Sequence, residues 1–355
     1  MIEIDGSQGE GGGQMVRNSC ALAIATGLPF RITQIRARRS RPGLMRQHVT
    51  AVEAACVISG AECSGLGVGS SELSFRPGKV TPGEYHFAVG TAGSTGLVLQ
   101  TVLMPLAMAD KPSRLVLEGG THNLLAPPFD FIERCFLPVI NRMGPQVSAR
   151  VVKHGFYPRG GGRIEVDITP APLQPIDCLD RGERIAVAAQ ALFAALPFEI
   201  AQRMLDRSRK GLPDWPEDAF AARQLPEDQG PGVILMLEAR YAHATEIVSG
   251  FGQLGVPAER LAKSCAARMN GYLDSSAFAG PYLADQLILP FTLAGGGRFT
   301  TVKPSQHLLT AIEIATRFTG RRIELSQQLD GTHLVAFEAA LRPEEVQIVD
   351  ARAAP

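Results

Sequence analysis

The chain has 355 residues, of which 45% are hydrophobic and 20% are charged. Because a single hydrophobic core rarely serves more than about 200 residues, this length favours two domains or one domain built from repeats. The 35 basic and 35 acidic residues balance, which argues against a protein covered in basic surface but leaves room for a local basic site. The 37 glycines and 25 prolines are spread along the chain, which argues against disorder.

The cysteines and the apolar segments bear on the compartment of the protein. Six widely spaced cysteines form no C-x-x-C pair, so we expect reduced thiols in a cytoplasmic protein rather than disulfides or a zinc site. Residues 1–5 contain no apolar signal core. Residues 85–109 lack Asp, Glu, Lys and Arg over a length that spans a bilayer, but the glycines in the first half and Pro105 favour a turn followed by a buried helix.

Helical and strand patterns alternate along the first 150 residues. Apolar residues recur at helical spacing in four segments, residues 13–26, 44–59, 94–109 and 126–143. Shorter runs have the period of two that is typical of strands, at residues 1–5, 30–37, 72–76, 84–89 and 114–118. This order, with pairs of adjacent strands, predicts an α+β fold in α/β layers.

The sequence changes character between about residues 182 and 275. We predict a strand, a helix, two strands and a helix, at residues 184–192, 197–210, 233–239, 244–250 and 257–273. A polar, proline-rich loop at residues 211–230 separates the first pair from the rest. Five elements in about ninety residues indicate a small domain inserted between repeats.

A triple glycine occurs three times, at residues 11–13, 160–162 and 295–297. The second and third copies continue as GGGRIEV and GGGRFTT, and both lead into a strand pattern. Their spacing fits a multiple of a shorter strand–helix unit, which favours an internally repeated α/β architecture.

Basic residues are concentrated near the N-terminus. No acidic residue lies between Gly11 and Val52, where seven arginines occur, namely Arg17, Arg31, Arg36, Arg38, Arg39, Arg41 and Arg46. Solvated surfaces usually mix both signs of charge, so this segment favours a phosphate site. The alternative is a general preference for arginine, since the chain has 29 Arg and 6 Lys.

Glycines precede the first predicted helix in the segment QGEGGGQ, residues 8–14. Glycines allow backbone N–H groups to approach a phosphate, and the start of a helix favours an anion. The spacing matches neither G-x-G-x-x-G nor the Walker pattern, so a tight turn into the helix is an equal alternative.

His307 is the most suggestive single residue. It follows Pro304 and Ser305, which mark a helix N-terminus, and an apolar stripe follows it. The positive end of the helix dipole disfavours protonation, so the imidazole is expected to be neutral and able to act as a nucleophile. The alternative is a surface histidine near a helix cap.

Polar residues interrupt two other apolar segments, Gln100 in one and Asp285 with Gln286 in the other. A buried amide or carboxyl needs a hydrogen-bond partner, so each is either a bridge within the core or a ligand contact. For Gln100 and Gln286 we favour the bridge within the core.

Taken in order, these segments resemble the RNA 3′-terminal phosphate cyclases. The resemblance runs from the N-terminus to about residue 340, and only the ordered combination of motifs is specific. The matching motifs are DGSQGEGGGQ, IRARRSRPGLMRQH, GTAGS, LVLQT, GGT…APP, HGFYPRGGG, GPYLADQL and PSQHLLT.

The resemblance implies a ligase that uses ATP to convert an RNA 3′-phosphate end into a 2′,3′-cyclic phosphate. It also implies a large domain of repeated βαβαββ units, residues 1–181 and 275–345, with a smaller α/β domain inserted at residues 182–274 and a C-terminal tail at 346–355. His307 matches the nucleophile that would hold AMP covalently before AMP passes to the RNA end.

The remaining site residues are also implied by the resemblance. Glu10 is the candidate contact for Mg²⁺ or Mn²⁺. Positions expected around the triphosphate and the RNA end are Gln14, Arg17, Arg36, Arg39, Gln47 and His48. Positions expected around ATP are Gln100, Pro127, Tyr282, Leu283, Ala284, Asp285 and Gln286. Arg38 departs from the family's usual glycine, and the effect of this change is open.

Two other functions compete with this interpretation. One is a non-catalytic, cyclase-like protein of ribosome assembly, against which the presence of His307, Glu10 and Asp285 argues. The other is an enolpyruvyl transferase of related repeat fold, whose chemistry needs no nucleophilic histidine. The expected partners are ATP and RNA with a 3′-phosphate, with no membrane, and the oligomeric state is open.

Overall fold

A repeated order of elements organises the chain. The computed structural model describes residues 1–338, so the predicted tail at 346–355 and the end of the predicted large domain at 339–345 lie outside the described residues. Three units within this part have the order βαβαββ, each with its own four-stranded sheet. The predicted α+β fold with repeated units is therefore confirmed.

The first unit occupies the N-terminal 76 residues. Its elements are β1 (Ile2–Asp5), α1 (Gly13–Thr26), β2 (Phe30–Thr33), α2 (Arg46–Ser59), β3 (Glu62–Ser64) and β4 (Leu73–Arg76). The sheet order is β1-β2-β4-β3, with β1 parallel to β2 and β4 antiparallel to its two neighbours. The prediction of a strand at residues 30–37 was too long, because Gln34 and Arg36 have φ of 53° and 54° and turn the chain.

The second unit repeats this topology. Its elements are β5 (Glu84–Ala88), α3 (Thr95–Ala107), β6 (Ser113–Gly119), α4 (Phe129–Phe131), a π-helical turn (Ile132–Phe136), α5 (Leu137–Arg142), β7 (Gln146–Lys153) and β8 (Gly162–Thr169). The sheet order is β5-β6-β8-β7. As predicted, α3 follows a turn and is buried, and no helix within residues 1–338 is long and apolar enough to cross a membrane.

After β9 (Asp177–Cys178), the chain builds a separate sheet of order β11-β10-β12-β13. Its elements are β10 (Arg184–Ala194), α6 (Phe198–Gly211), β11 (Phe220–Gln224), β12 (Gly232–Tyr241), β13 (Thr245–Phe251) and α7 (Ala258–Leu273). The two helices pack together and, with one face of this sheet, enclose a second hydrophobic core that includes Phe193, Trp215 and Tyr272. The predicted loop at residues 211–230 was wrong in part, because it contains β11.

The third unit begins with β9 and resumes after this separate sheet. Its later elements are α8 (Pro281–Ala294), β14 (Gly297–Thr301), α9 (Gln306–Thr319), β15 (Ile323–Gln327) and β16 (His333–Phe337). The order β15-β16-β14-β9 reproduces the other two sheets. The boundaries of an inserted domain at residues 182–274 stay a prediction.

The three glycine runs do not occupy equivalent positions in these units. The last glycine of the first run begins helix α1, that of the second begins the last strand of the second unit, and that of the third begins the second strand of the third unit. The repeat is real, but the triple glycine does not mark it. Each run instead forms a local turn, as the positive φ values of Gly11, Gly161 and Gly295 show.

A large hydrophobic core joins the three units. Helices α1, α2, α3, α8 and α9 pack against one another, and their buried faces share one cluster. All six cysteines lie in the described part and are free thiols, four of them buried. The expectation of thiols rather than disulfides is therefore confirmed.

Candidate active site

His307 is the second residue of α9 and lies in the first turn of that helix. Ser305 caps the helix, since its hydroxyl accepts from the Leu308 N–H at 3.0 Å. The His307 side chain is 46% exposed, and its Nδ1 donates to Gln14 Oε1 at 2.9 Å. With the proton held on Nδ1, the lone pair of the neutral ring lies on Nε2. Burial and the charges of Arg17 and Arg39 lower the pKa of His307 against the opposing effect of Glu10.

Glu10 lies beside this imidazole. Its Oε1 is 3.8 Å from His307 Nε2 and also pairs with the Arg39 guanidinium. The Arg39 side chain donates in addition to the Glu10 carbonyl at 2.9 Å, while the Glu10 N–H donates to Thr310 Oγ1 at 2.8 Å. Thr310 lies three residues after His307, so one face of α9 carries the histidine and fixes the backbone of the carboxylate.

The second carboxylate oxygen of Glu10 is uncommitted. The side chain is only 9% exposed, and Oε2 has no hydrogen-bond partner. No group of three His, Cys, Asp or Glu residues in the described part could hold a metal ion. One free carboxylate oxygen suits Mg²⁺, which usually takes one or two carboxylates and completes its shell with water and substrate phosphates.

Gly12 and Gly13 make room for side chains of the protein itself. A Cβ on Gly12 would lie 2.2 Å from Glu10 Oε2, and one on Gly13 would lie 2.1 Å from His48 Nε2. His48 is 3% exposed, and its Nδ1 accepts from the Met45 N–H at 3.0 Å. Burial, with Arg17 and Arg36, lowers the pKa of His48 to about 3. His48 is therefore a neutral, packed side chain beneath the glycine loop.

Arg17 and Asp285 connect this cluster to α8. Both side chains are half-buried, and each responds to the charge of the other. Burial lowers the pKa of Arg17 to about 10, opposed by Glu10 and Asp285. Burial raises the pKa of Asp285 to about 8, opposed by Arg17 and reinforced by Glu10. An added anion would change this balance, because two carboxyls share one half-buried arginine.

Arg36 lies in the loop before α2, and Gln47 is the second residue of that helix. The Arg36 Nη1 donates to the carbonyls of Arg41 and Gly43, at 2.5 and 2.9 Å, so this arginine closes its own loop. Burial and the neighbouring Arg39 lower its pKa. Gln47 Oε1 accepts from the N–H of Ser94, the cap of α3, at 3.2 Å. Both side chains thus hold backbone at the edge of the cluster.

The predicted ATP contacts on α3 and α8 are of two kinds: side chains that are polar or exposed, and apolar side chains that are buried in the core. Gln100 donates to Gln286 at 2.8 Å and Gln286 donates to the Tyr282 carbonyl at 2.9 Å, so the expected bridge within the core is present. Tyr282 is 44% exposed. Leu283 and Ala284 have 0% and 1% exposure, so their side chains belong to the core.

Pro127 differs from these residues in lying on a loop. It lies half-buried on the segment between β6 and α4, in the second unit, whereas Tyr282 lies on α8 in the third. No hydrogen bond in the described part joins it to the other predicted site residues.

Sequence reasoning missed Thr310, which holds the Glu10 backbone. The spacing of three residues from His307 is the signal that could have found it, because residues three apart share a helix face. An imidazole and arginines around one carboxylate, at the start of a helix, are typical of sites in enzymes that handle phosphate groups.

Comparisons with known proteins give the family. A sequence model described as RNA 3′-terminal phosphate cyclase matches residues 8–325. The chain is 49% identical over 329 residues to the RNA 3′-terminal phosphate cyclase of Koribacter versatilis, with 92% of each chain covered. It is 47% identical over 326 residues to that of Ectopseudomonas mendocina, with 92% of this chain and 95% of that relative covered. It is 46% identical over 332 residues to that of Pseudomonas fluorescens, with 93% of this chain and 96% of that relative covered. The chain therefore belongs to the RNA 3′-terminal phosphate cyclase family, and the prediction of an enzyme is confirmed with it.

Proposed function

We propose that this enzyme uses ATP to convert an RNA 3′-phosphate end into a 2′,3′-cyclic phosphate, through AMP bound covalently to His307. The observation that carries the proposal is that this imidazole is neutral and exposed, with its Nε2 unprotonated. Gln14 holds the proton on Nδ1, the pKa is lowered, and Nε2 is left at the exposed first turn of α9.

In the first step Nε2 attacks the α-phosphorus of ATP. The new N–P bond forms as the bond to the bridging oxygen breaks, and pyrophosphate leaves with that electron pair. Gln14 keeps the ring oriented throughout, and the N–H groups at the start of α9 favour the negative charge that develops on the α-phosphate.

Arginines and Glu10 would manage the charge of the triphosphate. The Arg39 guanidinium already pairs with Glu10, and an incoming phosphate can accept hydrogen bonds from its other N–H groups. Glu10 Oε2 is the atom that would hold Mg²⁺ or Mn²⁺. When bound, such an ion neutralises charge on phosphate oxygens.

The nucleotide base would lie by α8. The exposed ring of Tyr282 offers a flat face to adenine, with Pro127 as the proposed second face. Asp285 and Gln286 follow on the same turn, whereas Leu283 and Ala284 would contribute through their backbone, since their side chains are buried.

The second half of the reaction acts on RNA. An oxygen of the 3′-phosphate attacks the phosphorus of the bound AMP, and the N–P electron pair returns to His307 Nε2. The adjacent ribose 2′-oxygen then attacks the activated 3′-phosphate, loses its proton and expels AMP. Adenylylation is needed because a phosphate monoester lacks a good leaving group, and the 2′-oxygen is already within reach. Arg36, Arg39, Gln47 and His48 would position this end, His48 indirectly through Gly13.

Covalent labelling tests the proposal. Protein incubated with Mg²⁺ and ATP labelled at the α-phosphorus should retain the label, ATP labelled at the γ-phosphorus should leave none, and His307→Ala should abolish retention. His86→Ala is the matched control, because His86 is an exposed histidine on β5 that pairs with Glu118 away from the cluster. A protein that retains no label, or a His307→Ala variant that still retains it, would overturn the mechanism. Both alternatives, a ribosome-assembly protein and an enolpyruvyl transferase, predict no label.

We also propose a cytoplasmic location and an inserted domain at residues 182–274. The six free thiols support the first. The separate sheet and second hydrophobic core between β9 and α8 support the second.

A further inference from the structure

A buried carboxyl group on β13 reaches across to the start of helix α8. Glu246 is 1% exposed, and its Oε2 accepts from the Gly280 N–H at 3.2 Å. A Cβ on Gly280 would lie 2.2 Å from Glu246 Oε1 and 2.5 Å from Oε2. The contact therefore requires an acceptor oxygen at 246 and no side chain at 280.

Gly280 is the residue that precedes α8, and α8 has no cap from a side chain of its own segment. The first N–H groups of a helix lack partners within the helix, and an acceptor there stabilises the helix start. Here the acceptor comes from 34 residues earlier in the chain. Glu246 thus acts as a distant cap for the helix that carries Tyr282, Asp285 and Gln286.

A second contact arrives at the same turn from α7. Arg268 donates to the Tyr282 hydroxyl at 3.5 Å, and it is itself held by the Ser249 carbonyl at 2.6 Å and by Cys265 Sγ at 3.2 Å. Both β13 and α7 belong to the sheet and helices between β9 and α8. That part of the chain therefore touches α8 at the turn proposed to bind the base of ATP.

The surroundings of Glu246 are largely apolar. The charged or titratable groups that face it are Arg181, Arg268, Cys135 and Tyr272. Burial raises the pKa of Glu246 to about 8, with the Gly280 N–H and the two arginines opposing this rise. A neutral amide can replace a carboxyl in such a setting, whereas a purely apolar side chain would leave the Gly280 N–H without a partner.

We propose that Glu246 is a positioning residue for nucleotide binding, which fixes the first turn of α8 so that Tyr282 and Asp285 meet ATP in the correct place. This inference rests on the proposed function. It assigns to the separate sheet a part in binding ATP, through a residue that does not itself touch the nucleotide.

Three variants of the full chain test it. Glu246→Leu removes the acceptor while keeping the volume, and Glu246→Gln keeps an acceptor. Glu238→Leu is the matched control, because Glu238 is a carboxylate on the neighbouring strand β12 that also reaches out of this sheet, to Arg134 at 2.9 Å, but not to α8.

The quantities to measure are the ATP dependence of covalent labelling and the hydrogen exchange of the backbone amides of Gly280 and of residues 282–286, since Pro281 has no N–H. For Glu246→Leu we expect an apparent KM for ATP raised about tenfold, the usual scale for an unpaired buried donor, with the maximal labelling rate changed much less and faster exchange at the start of α8. Glu246→Gln should restore most of the affinity. Glu238→Leu should keep the KM and the exchange of the wild type.

The possible failures are distinguishable. If the wild type takes no label, the proposed function is wrong, and exchange at residues 280–286 still tests the role of Glu246 as a distant cap. If the wild type is labelled but Glu246→Leu keeps the wild-type KM and exchange, the inference is wrong. Equal effects of Glu246→Leu and Glu238→Leu would also overturn it, since they would reflect general destabilisation.

Discussion

Gln14 determines which nitrogen of His307 is free. Its amide oxygen accepts from Nδ1 at 2.9 Å, while the residue as a whole is 9% exposed and lies in the first turn of α1. The two residues are 293 positions apart. At the scale of one residue, the sequence identified the imidazole and its helix end, but only the packing of α1 on α9 revealed the group that orients it.

Replacing Gln14 by Leu should slow labelling of His307 by AMP about tenfold at saturating ATP, because the Nδ1–H loses its partner and the ring is no longer fixed. Gln14→Glu should slow the labelling less, since a carboxylate still accepts the hydrogen bond from the Nδ1–H. The rate is measured in a single turnover with ATP labelled at the α-phosphorus.

Gln8→Leu is the control for the Gln14 variants. Gln8 is an exposed amide of the same glycine segment and donates only to Asp5, at 3.2 Å. Equal rates for Gln14→Leu and the wild type would show that Gln14 does not orient the nucleophile.

The start of helix α1 shows how an element is adapted to the site. Glycine is a poor helix former, yet Gly13 is the first residue of α1. Its missing side chain leaves space for His48 and for the Arg17 guanidinium, whose Nη1 would lie 3.0 Å from a Cβ at this position. The sequence pattern indicated either a phosphate loop or a tight turn, and it could not show that the space is already used by the protein's own side chains.

Gly13→Ala should therefore destabilise the protein by roughly 1–3 kcal/mol, the range for overpacking, although alanine is the better helix former. Gly271→Ala in α7 is the matched control, because a Cβ there meets nothing within 4 Å. That substitution should stabilise the protein by about 0.5–1 kcal/mol. Chemical denaturation measures both free energies of unfolding, and a stabilised Gly13→Ala variant would contradict the packing described.

Repetition governs the arrangement of the whole molecule. His48 is the third residue of α2, and His307 is the second residue of α9. Helices α2 and α9 are the second helices of the first and third units, so both histidines occupy the first turn of equivalent helices. One is buried at 3% exposure and the other is exposed. The same unit thus supplies a packed imidazole in one copy and the proposed nucleophile in another.

Buried neutral histidines should make the stability of the whole molecule depend on pH. Burial lowers the pKa of His48 to about 3 and that of His154 to about 4, against about 6.5 in an unfolded chain. Below pH 6.5 the unfolded state therefore binds more protons than the folded state. Each such histidine lowers the free energy of unfolding as the pH falls, by on the order of 1 kcal/mol per pH unit, whereas Asp285 and Glu246, whose pKa burial raises to about 8, act in the opposite direction.

The slope of the free energy of unfolding against pH, measured by denaturation between pH 7.5 and pH 5, should be less positive in His48→Gln than in the wild type, because the contribution of His48 is removed. His86→Ala, at an exposed position, should leave the slope unchanged. A slope that is the same in wild type and His48→Gln would show that His48 is not kept neutral by the fold.

The sequence by itself determined the local structure and the identity of the chemical groups. Helix α1 has the predicted bounds, because caps and apolar spacing are local signals. His307 was placed correctly at a helix N-terminus from Pro304, Ser305 and the apolar stripe that follows. Strand β3, with three residues, and strand β11, within a proline-rich stretch, escaped prediction because their pairing partners are supplied by other parts of the chain.

Only the tertiary structure decided which of these groups meet. Glu10, Gln14 and Arg39 come from the first unit, His307 and Asp285 from the third, and Glu246 from the sheet between β9 and α8. The sequence also revealed a concentration of arginines near the N-terminus, although the net charge of the chain is zero. It did not show that Arg36 binds a carbonyl of its own loop or that Arg39 pairs with Glu10. The physical reason is that local patterns fix backbone conformation, whereas ionisation, tautomer and contact depend on burial among residues hundreds of positions away.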